Sequence, residues 1–188
     1  MKISNGVNKK IIFSLIVILI LVVIVGGFFW WQNQKDVREL NKGLPEGVRV
    51  VKSLIGKEYR VVNKIDGYEI KVPKAWEGLK EIEYSPERKV NGMKATGIVL
   101  TAPVGGIIGI DQYKINQETI DLEMLVKDFF EPEGLLEKQQ IGDYETIRTE
   151  AERLAGAKIY FFQKDLKIYI IGGFSDENIR EIILNGKW

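Results

Sequence analysis

The run from Ile11 to Trp31 holds 21 residues without a single Asp, Glu, Lys or Arg, and 16 of them are Ile, Leu, Val or Phe. Wound as a helix at 1.5 Å per residue it reaches roughly 31 Å, against a bilayer hydrocarbon core of about 30 Å. Each of those side chains contributes about −0.3 to −0.6 kcal/mol to insertion, so the segment gains on the order of −5 to −10 kcal/mol in a membrane. A buried core helix is the competing reading for an apolar stretch. It fails because this one is apolar on every side and too long for so small a core. A cleaved signal peptide carries a shorter apolar region ending in a small-x-small site. Here the run closes on Phe28-Phe29-Trp30-Trp31, whose rings suit the interfacial belt of a membrane. With no Cys in the chain, lipid attachment at cysteine is ruled out. The sequence therefore predicts an uncleaved transmembrane helix over residues 11–31.

The flanks predict its orientation. Lys2, Lys9 and Lys10 precede the helix with no acid among them, whereas Lys35 and Arg38 after it are interleaved with Asp36 and Glu39. The positive-inside rule places residues 1–10 in the cytoplasm and everything after the helix outside the cytoplasmic membrane, a single-pass arrangement. Setting those three lysines aside leaves 24 bases against 26 acids, a formal charge of −2 over residues 32–188. That balance argues against nucleic acid as a partner. The lack of Cys also means that no disulfide supports the outer domain.

Residues 32–56 are polar and broken by Gly43, Pro45, Gly47 and Gly56, which predicts a tether rather than a stalk helix, with a short strand at Val48 to Val51. From 57 to 188 the pattern is that of one domain. Tyr59, Val61 and Val62 lead to Asp66-Gly67, a favoured hairpin pair, and then to the alternation Tyr68, Ile70, Val72. Pro73 ends that strand and Trp76 follows in a turn. Ile82 and Tyr84 predict a brief strand stopped by Pro86. Asn91-Gly92 turns the chain into a strand over 95–102, and residues 107–115 continue as strand after Gly105-Gly106.

The period then changes. Ile120, Leu122, Leu125, Val126 and Phe129 recur at helical spacing, with Thr119 as N-cap and Pro132 and Gly134 beyond the end. Strands follow at 137–141 and 145–149, then a hairpin of 158–163 with 166–172 about Lys164-Asp165. A closing helix, 176–184, has Ser175 as its cap and Ile179, Ile182 and Ile183 as its apolar face. Hairpin-linked strands with a helix in the middle and one at the end predict an α+β domain, an antiparallel β-sheet with helices packed on it.

The stretch Asp66-Gly67-Tyr68-Glu69-Ile70-Lys71-Val72-Pro73-Lys74-Ala75-Trp76 resembles the opening of a PsbP-like domain, in which a Gly-aromatic strand runs into a Pro and then a Trp. The later elements agree in order, so the resemblance covers roughly Glu58 to Trp188. It implies an antiparallel sheet sandwiched between helices, and a binding scaffold whose partners differ from member to member. The family includes extrinsic subunits of photosystem II and a Ran-binding nuclear-import factor, and fold analogy does not choose among such roles. The chain has no His, so no His-based metal site carries over, and nothing in it points to photosynthesis.

The absence of His and Cys removes His-assisted nucleophiles and ordinary zinc sites. Carboxylates remain. Glu118, Asp121 and Glu123 crowd the start of the central helix near Asp111, where a hard divalent cation is one reading. The other is that acids in a first helical turn offset the helix dipole, and no Asp-x-Asp-x-Asp-Gly loop favours the metal. Gly105-Gly106 with Gly109 lacks the Gly-Lys-Ser/Thr ending of a phosphate loop and reads as a strand connection. Trp76 reads as a core plug rather than a binding platform. Tyr160, Phe162 and Tyr169 are core if both sheet faces are covered and a binding surface if one is open. No catalytic, cofactor-binding or metal-binding residue is assigned. The expectation is a non-catalytic binding or assembly module outside the cytoplasmic membrane, its partner a protein or small ligand. The alternative is a carboxylate-dependent hydrolase or metal-dependent enzyme, which requires at least two carboxylates converging in a deep pocket.

Overall fold

The computed structural model describes residues 9–53, 58–116, 120–130 and 134–188, and divides into an N-terminal helical unit and a domain beginning at Leu40. Helix α1 spans Lys9–Leu40. Its stretch Phe13–Leu40, 28 residues, is long and apolar enough to cross a membrane, and its large apolar side chains from Phe13 to Trp31 are exposed. The helix runs on past Trp31 through residues read as tether. The reason is local: no Gly or Pro stands between Gln32 and Lys42, and Lys35 and Glu39 sit at i, i+4 spacing.

Among the described residues the domain holds ten strands. β1 (Val48–Lys52), β2 (Tyr59–Asn63) and β3 (Tyr68–Lys71) form a three-stranded antiparallel sheet. β1 lies inside the stretch read as tether, where a strand was expected at Val48 to Val51. Its free edge is closed by Asn41, whose Nδ2 donates to Val50 O at 3.0 Å while Val50 N donates to Asn41 Oδ1 at 2.7 Å. After a 3-10 turn at Lys74–Trp76, the large sheet begins as a meander of β4 (Glu81–Val90), β5 (Met93–Thr101) and β6 (Ile107–Lys114). Helix α2 (Leu122–Phe130) follows. A second meander comprises β7 (Glu137–Ile141), β8 (Tyr144–Ala151), β9 (Ala157–Lys164) and β10 (Lys167–Gly173). β10 returns beside β6, giving the order β4-β5-β6-β10-β9-β8-β7 with every neighbouring pair antiparallel. Helix α3 (Asp176–Asn185) closes the chain.

Turn chemistry places these strands. Asn91 (φ 48°) and Gly92 (φ 81°) make the two-residue connection of β4 to β5, and a loop with two positive φ angles matches the twist of the strands it joins. β4 does not stop at Pro86. It continues to Val90 with its register shifted between Ser85 and Arg88. β4 is a sheet edge, where Pro removes no ladder hydrogen bond and a bulge absorbs it. Thr119 and Pro132 lie outside the described residues. The helix cap comes instead from Asp121, whose Oδ1 accepts from Met124 N at 3.1 Å. Ser175 caps α3 as expected, accepting from Asn178 N at 3.3 Å.

Alternation along the strands divides the core between two faces. On one, Ile147, Phe161, Ile168 and Tyr113 pack against Leu125 and Val126 of α2. On the other, Ile98, Leu100, Ile110 and Ile171 are buried beneath α3, which presents Ile179, Ile182 and Ile183, and beneath the small sheet, which presents Val61 and Ile70. Tyr68 of β3 meets Tyr169 of β10 edge-on at 6.1 Å, Tyr169 stacks on Phe162 at 5.1 Å, and Trp188 lies 4.9 Å from Tyr169. Lys187 pairs with Glu69 as a bridge at the edge of β3.

Arg148 locks the start of α3 to this face. Its guanidinium donates to Asp176 Oδ1 at 3.0 Å, Glu137 Oε2 at 2.9 Å and Glu150 Oε1 at 2.8 Å. Burial pushes the Asp176 carboxyl up, but the hydrogen bond and charge of Arg148 outweigh it and hold it below its ordinary value. A carboxyl held low in the fold contributes stability above its unfolded value, near about 4, and loses that contribution as pH falls through the lower folded value. Arg148→Ala should therefore lower unfolding free energy by about 1–2 kcal/mol at neutral pH, the partners being half-exposed. In urea titrations the gap from the parent chain should close progressively as pH is taken below about 4.

Candidate functional site

Among the described acids that crowd together in the sequence, Asp111 stands apart from Asp121 and Glu123, which share the start of α2 and both act on Lys138. Asp111, in the middle of β6, takes Arg88 Nη2 at 2.6 Å. Asp121 is spent on the α2 cap. Glu123 is paired with Lys127 at 2.6 Å and Lys138 at 2.8 Å, which together hold its carboxyl down at about 2. Glu118 lies outside the described residues. Asp111 and Asp121 border different cavities, and among the described residues no group of three or more acids could hold a metal ion.

Other readings resolve one by one. Gly105-Gly106 forms the β5–β6 connection, with Ala102 N donating to Gly106 O at 2.7 Å. Trp76 is buried, and a Cβ on Gly106 would approach its indole nitrogen to 3.0 Å. Tyr160, Phe162 and Tyr169 are fully buried under α3 and the small sheet. They are core, and the open surface is on the opposite face. Asp66, read only as a turn residue, is a buried carboxylate. It accepts from Asn63 Nδ2 and Thr96 Oγ1, each at 2.7 Å, and so ties the small sheet to the large one. Nothing in the local pattern distinguishes it from an exposed turn Asp, because its partner Thr96 is thirty residues away.

The open surface lies beside α2. A row of paired residues crosses five strands there: Val99, Gly109, Gly172, Ile159 and Thr149. A Cβ on Gly109 would meet nothing within 4 Å. Next to this row, Phe130, Ile159, Ile170 and Leu154 wall a cavity of about 440 Å³ whose polar groups include Asp111, Thr149, Glu150 and Arg153. Thr149 is 2 % exposed and its hydroxyl has no hydrogen-bond partner among the described residues. Apolar walls with a few polar groups, at a volume within about 300–1,000 Å³, are the usual make-up of a small-ligand site. Sequence reading missed this groove because its floor depends on which strands become neighbours.

Comparison with protein-family models, with curated proteins and with solved structures finds no match to this chain.

Two glycines of this face predict opposite outcomes. A Cβ on Gly97 would lie 2.2 Å from Asp111 Oδ1 and 3.2 Å from Ile110 O, so Gly97→Ala should displace the carboxylate from Arg88 and cost about 1–3 kcal/mol. Gly109→Ala, with open space above it, should leave stability unchanged or raise it by up to about 1 kcal/mol. Urea unfolding of the two variants checks the contrast.

Proposed function

We propose that this chain is a membrane-anchored, non-catalytic binding or assembly module, with residues 1–10 in the cytoplasm and the domain displayed outside the cytoplasmic membrane. α1 supports the anchor, since exposed apolar side chains from Phe13 to Trp31 need a bilayer to cover them. The lysines before it and the mixed charges after it support the orientation. The order of strands and helices, with α2 on one face of an antiparallel sheet and α3 on the other, supports a PsbP-like architecture for the domain.

The observation that carries the binding role is the half-covered sheet face. A groove with apolar walls stands open beside α2, and the two carboxylates that border it are each held in ion pairs, Asp111 with Arg88 and Glu150 with Arg148 and Lys158. A hydrolase built on carboxylates needs two of them at one reacting bond. A receptor for an apolar ligand or a partner's apolar segment needs the groove and no more.

The test places a photocrosslinking amino acid at Leu154, which is 60 % exposed on the groove wall, and at Lys71 on the small sheet. Irradiation of membranes holding the full chain should give a discrete adduct from position 154 and none from position 71. No adduct from 154, or the same adducts from both, overturns the groove as the binding site. Protease added outside intact cells with a permeabilised outer layer should digest the domain, and protection would reverse the orientation.

A further inference from the structure

The large sheet carries a charge pattern that works against its own stability. Lys89 on β4 pairs with Lys94 on β5, Lys94 with Lys114 on β6, Lys114 with Lys167 on β10, and Lys167 with Lys164 on β9. Residues directly opposite in antiparallel strands project from the same face about 5 Å apart, and like charges so placed repel. With strands about 4.8 Å apart, five ammonium groups stand along about 19 Å. Five lysines are thus gathered in one row although residues 32–188 as a whole carry a formal charge of −2.

Local acids offset the row in part, Glu87 acting on Lys94, Lys114 and Lys89. Glu87 takes Lys94 at 2.8 Å and Asp165 approaches Lys164 at 4.0 Å. Lys167 donates to a neutral group, the Asp66 carbonyl, at 2.5 Å. Lys89 and Lys114 are exposed and make no ion pair among the described residues. With Met93 and Met124 they line a cavity of about 700 Å³ that Asp121 and Asp128 also border. Two apolar turn tips sit at the same end. Ile65 in the β2–β3 turn is 47 % exposed and Leu166 in the β9–β10 turn 45 %, and the bond from Lys167 to Asp66 brings these turns together.

We propose that the lysine row and its two apolar turn tips form a contact surface for the anionic phospholipid headgroups of the bilayer that holds α1. Ammonium groups on a surface that also offers exposed Ile and Leu are the composition that settles at a lipid interface. The proposal rests on reading α1 as a membrane anchor. A domain held to lipid by its own chain meets headgroups at high effective concentration, so a weak surface is enough to engage them.

The experiment uses the full chain in nanodiscs of phosphatidylcholine alone or mixed with phosphatidylglycerol, with lysine acylation rates read by mass spectrometry. In anionic discs at low salt, the five row lysines should react roughly fivefold more slowly than in neutral discs. Lys71, Lys158 and Lys187 should keep their rates, and salt should restore those of the row. Equal rates in both lipids, or equal slowing of all eight lysines, overturn the proposal. So does equal protection by soluble polyphosphate in neutral discs, which would assign the row to an anionic polymer. Alkaline extraction of the parent vesicles reports on α1 separately. Release of the chain overturns anchor and surface together, whereas retention with unchanged acylation overturns the surface alone.

Discussion

The ring contacts of Tyr68, Phe162, Tyr169 and Trp188 are the junction on which the domain depends. They join a three-stranded sheet to a seven-stranded one, and the Asp66–Thr96 hydrogen bond fixes the same joint at a single point. Aromatic pairs in edge-on and offset geometry add about 0.5–1.5 kcal/mol each beyond the area they bury. Their burial forces the small sheet and α3 to share one face of the large sheet. Only α2 is left for the other. Its nine residues reach about 13 Å as a helix, whereas seven strands at about 4.8 Å spacing spread over about 29 Å. The groove beside α2 is thus a consequence of how the opposite face is closed.

Location and chemistry separate cleanly in this molecule. A helix long and apolar enough to cross a membrane carries the proposed location, and it does so without reference to the domain. Within the domain, several ionisable groups are spent on structure. Asp66 joins sheets, Asp121 caps a helix, and Arg148 gathers three acids at the start of α3. What remains available to a partner is apolar surface beside α2 and positive charge at one end of the large sheet.

Local patterns were readable and distant pairings were not. Asn91-Gly92, Ser175 and the Ile179/Ile182/Ile183 face declared their elements because turn, cap and helix period are properties of a few consecutive residues. Pro86 misled because its effect depends on whether its strand is at an edge, which is decided by residues far along the chain. The polar stretch after Trp31 misled for a related reason. No helix breaker stands between Gln32 and Lys42, and the strand that follows is held by pairing with β2. The open face around Gly109, the burial of Asp66 and the lysine register all require knowing that β10 lies beside β6. No periodicity within either strand reports that.

The pairing of β6 with β10 also bears on how the domain is made. Every other neighbouring pair in the large sheet joins consecutive strands, so its loop-closure cost is small. The β6–β10 seam alone spans α2 and the whole second meander. As the chain emerges from its N-terminal end, β6 is complete while the strand that covers its edge is still unmade, and a bare edge is a template for pairing with other chains. Gly109 and Gly172 face each other across that seam. Glycines pack and pair weakly, so an early wrong partner at the exposed edge is held loosely, while the right one arrives with Tyr169 and Ile171 to bury. The same bare strip that leaves room for a ligand in the finished domain makes its last strand replaceable until the core behind it closes.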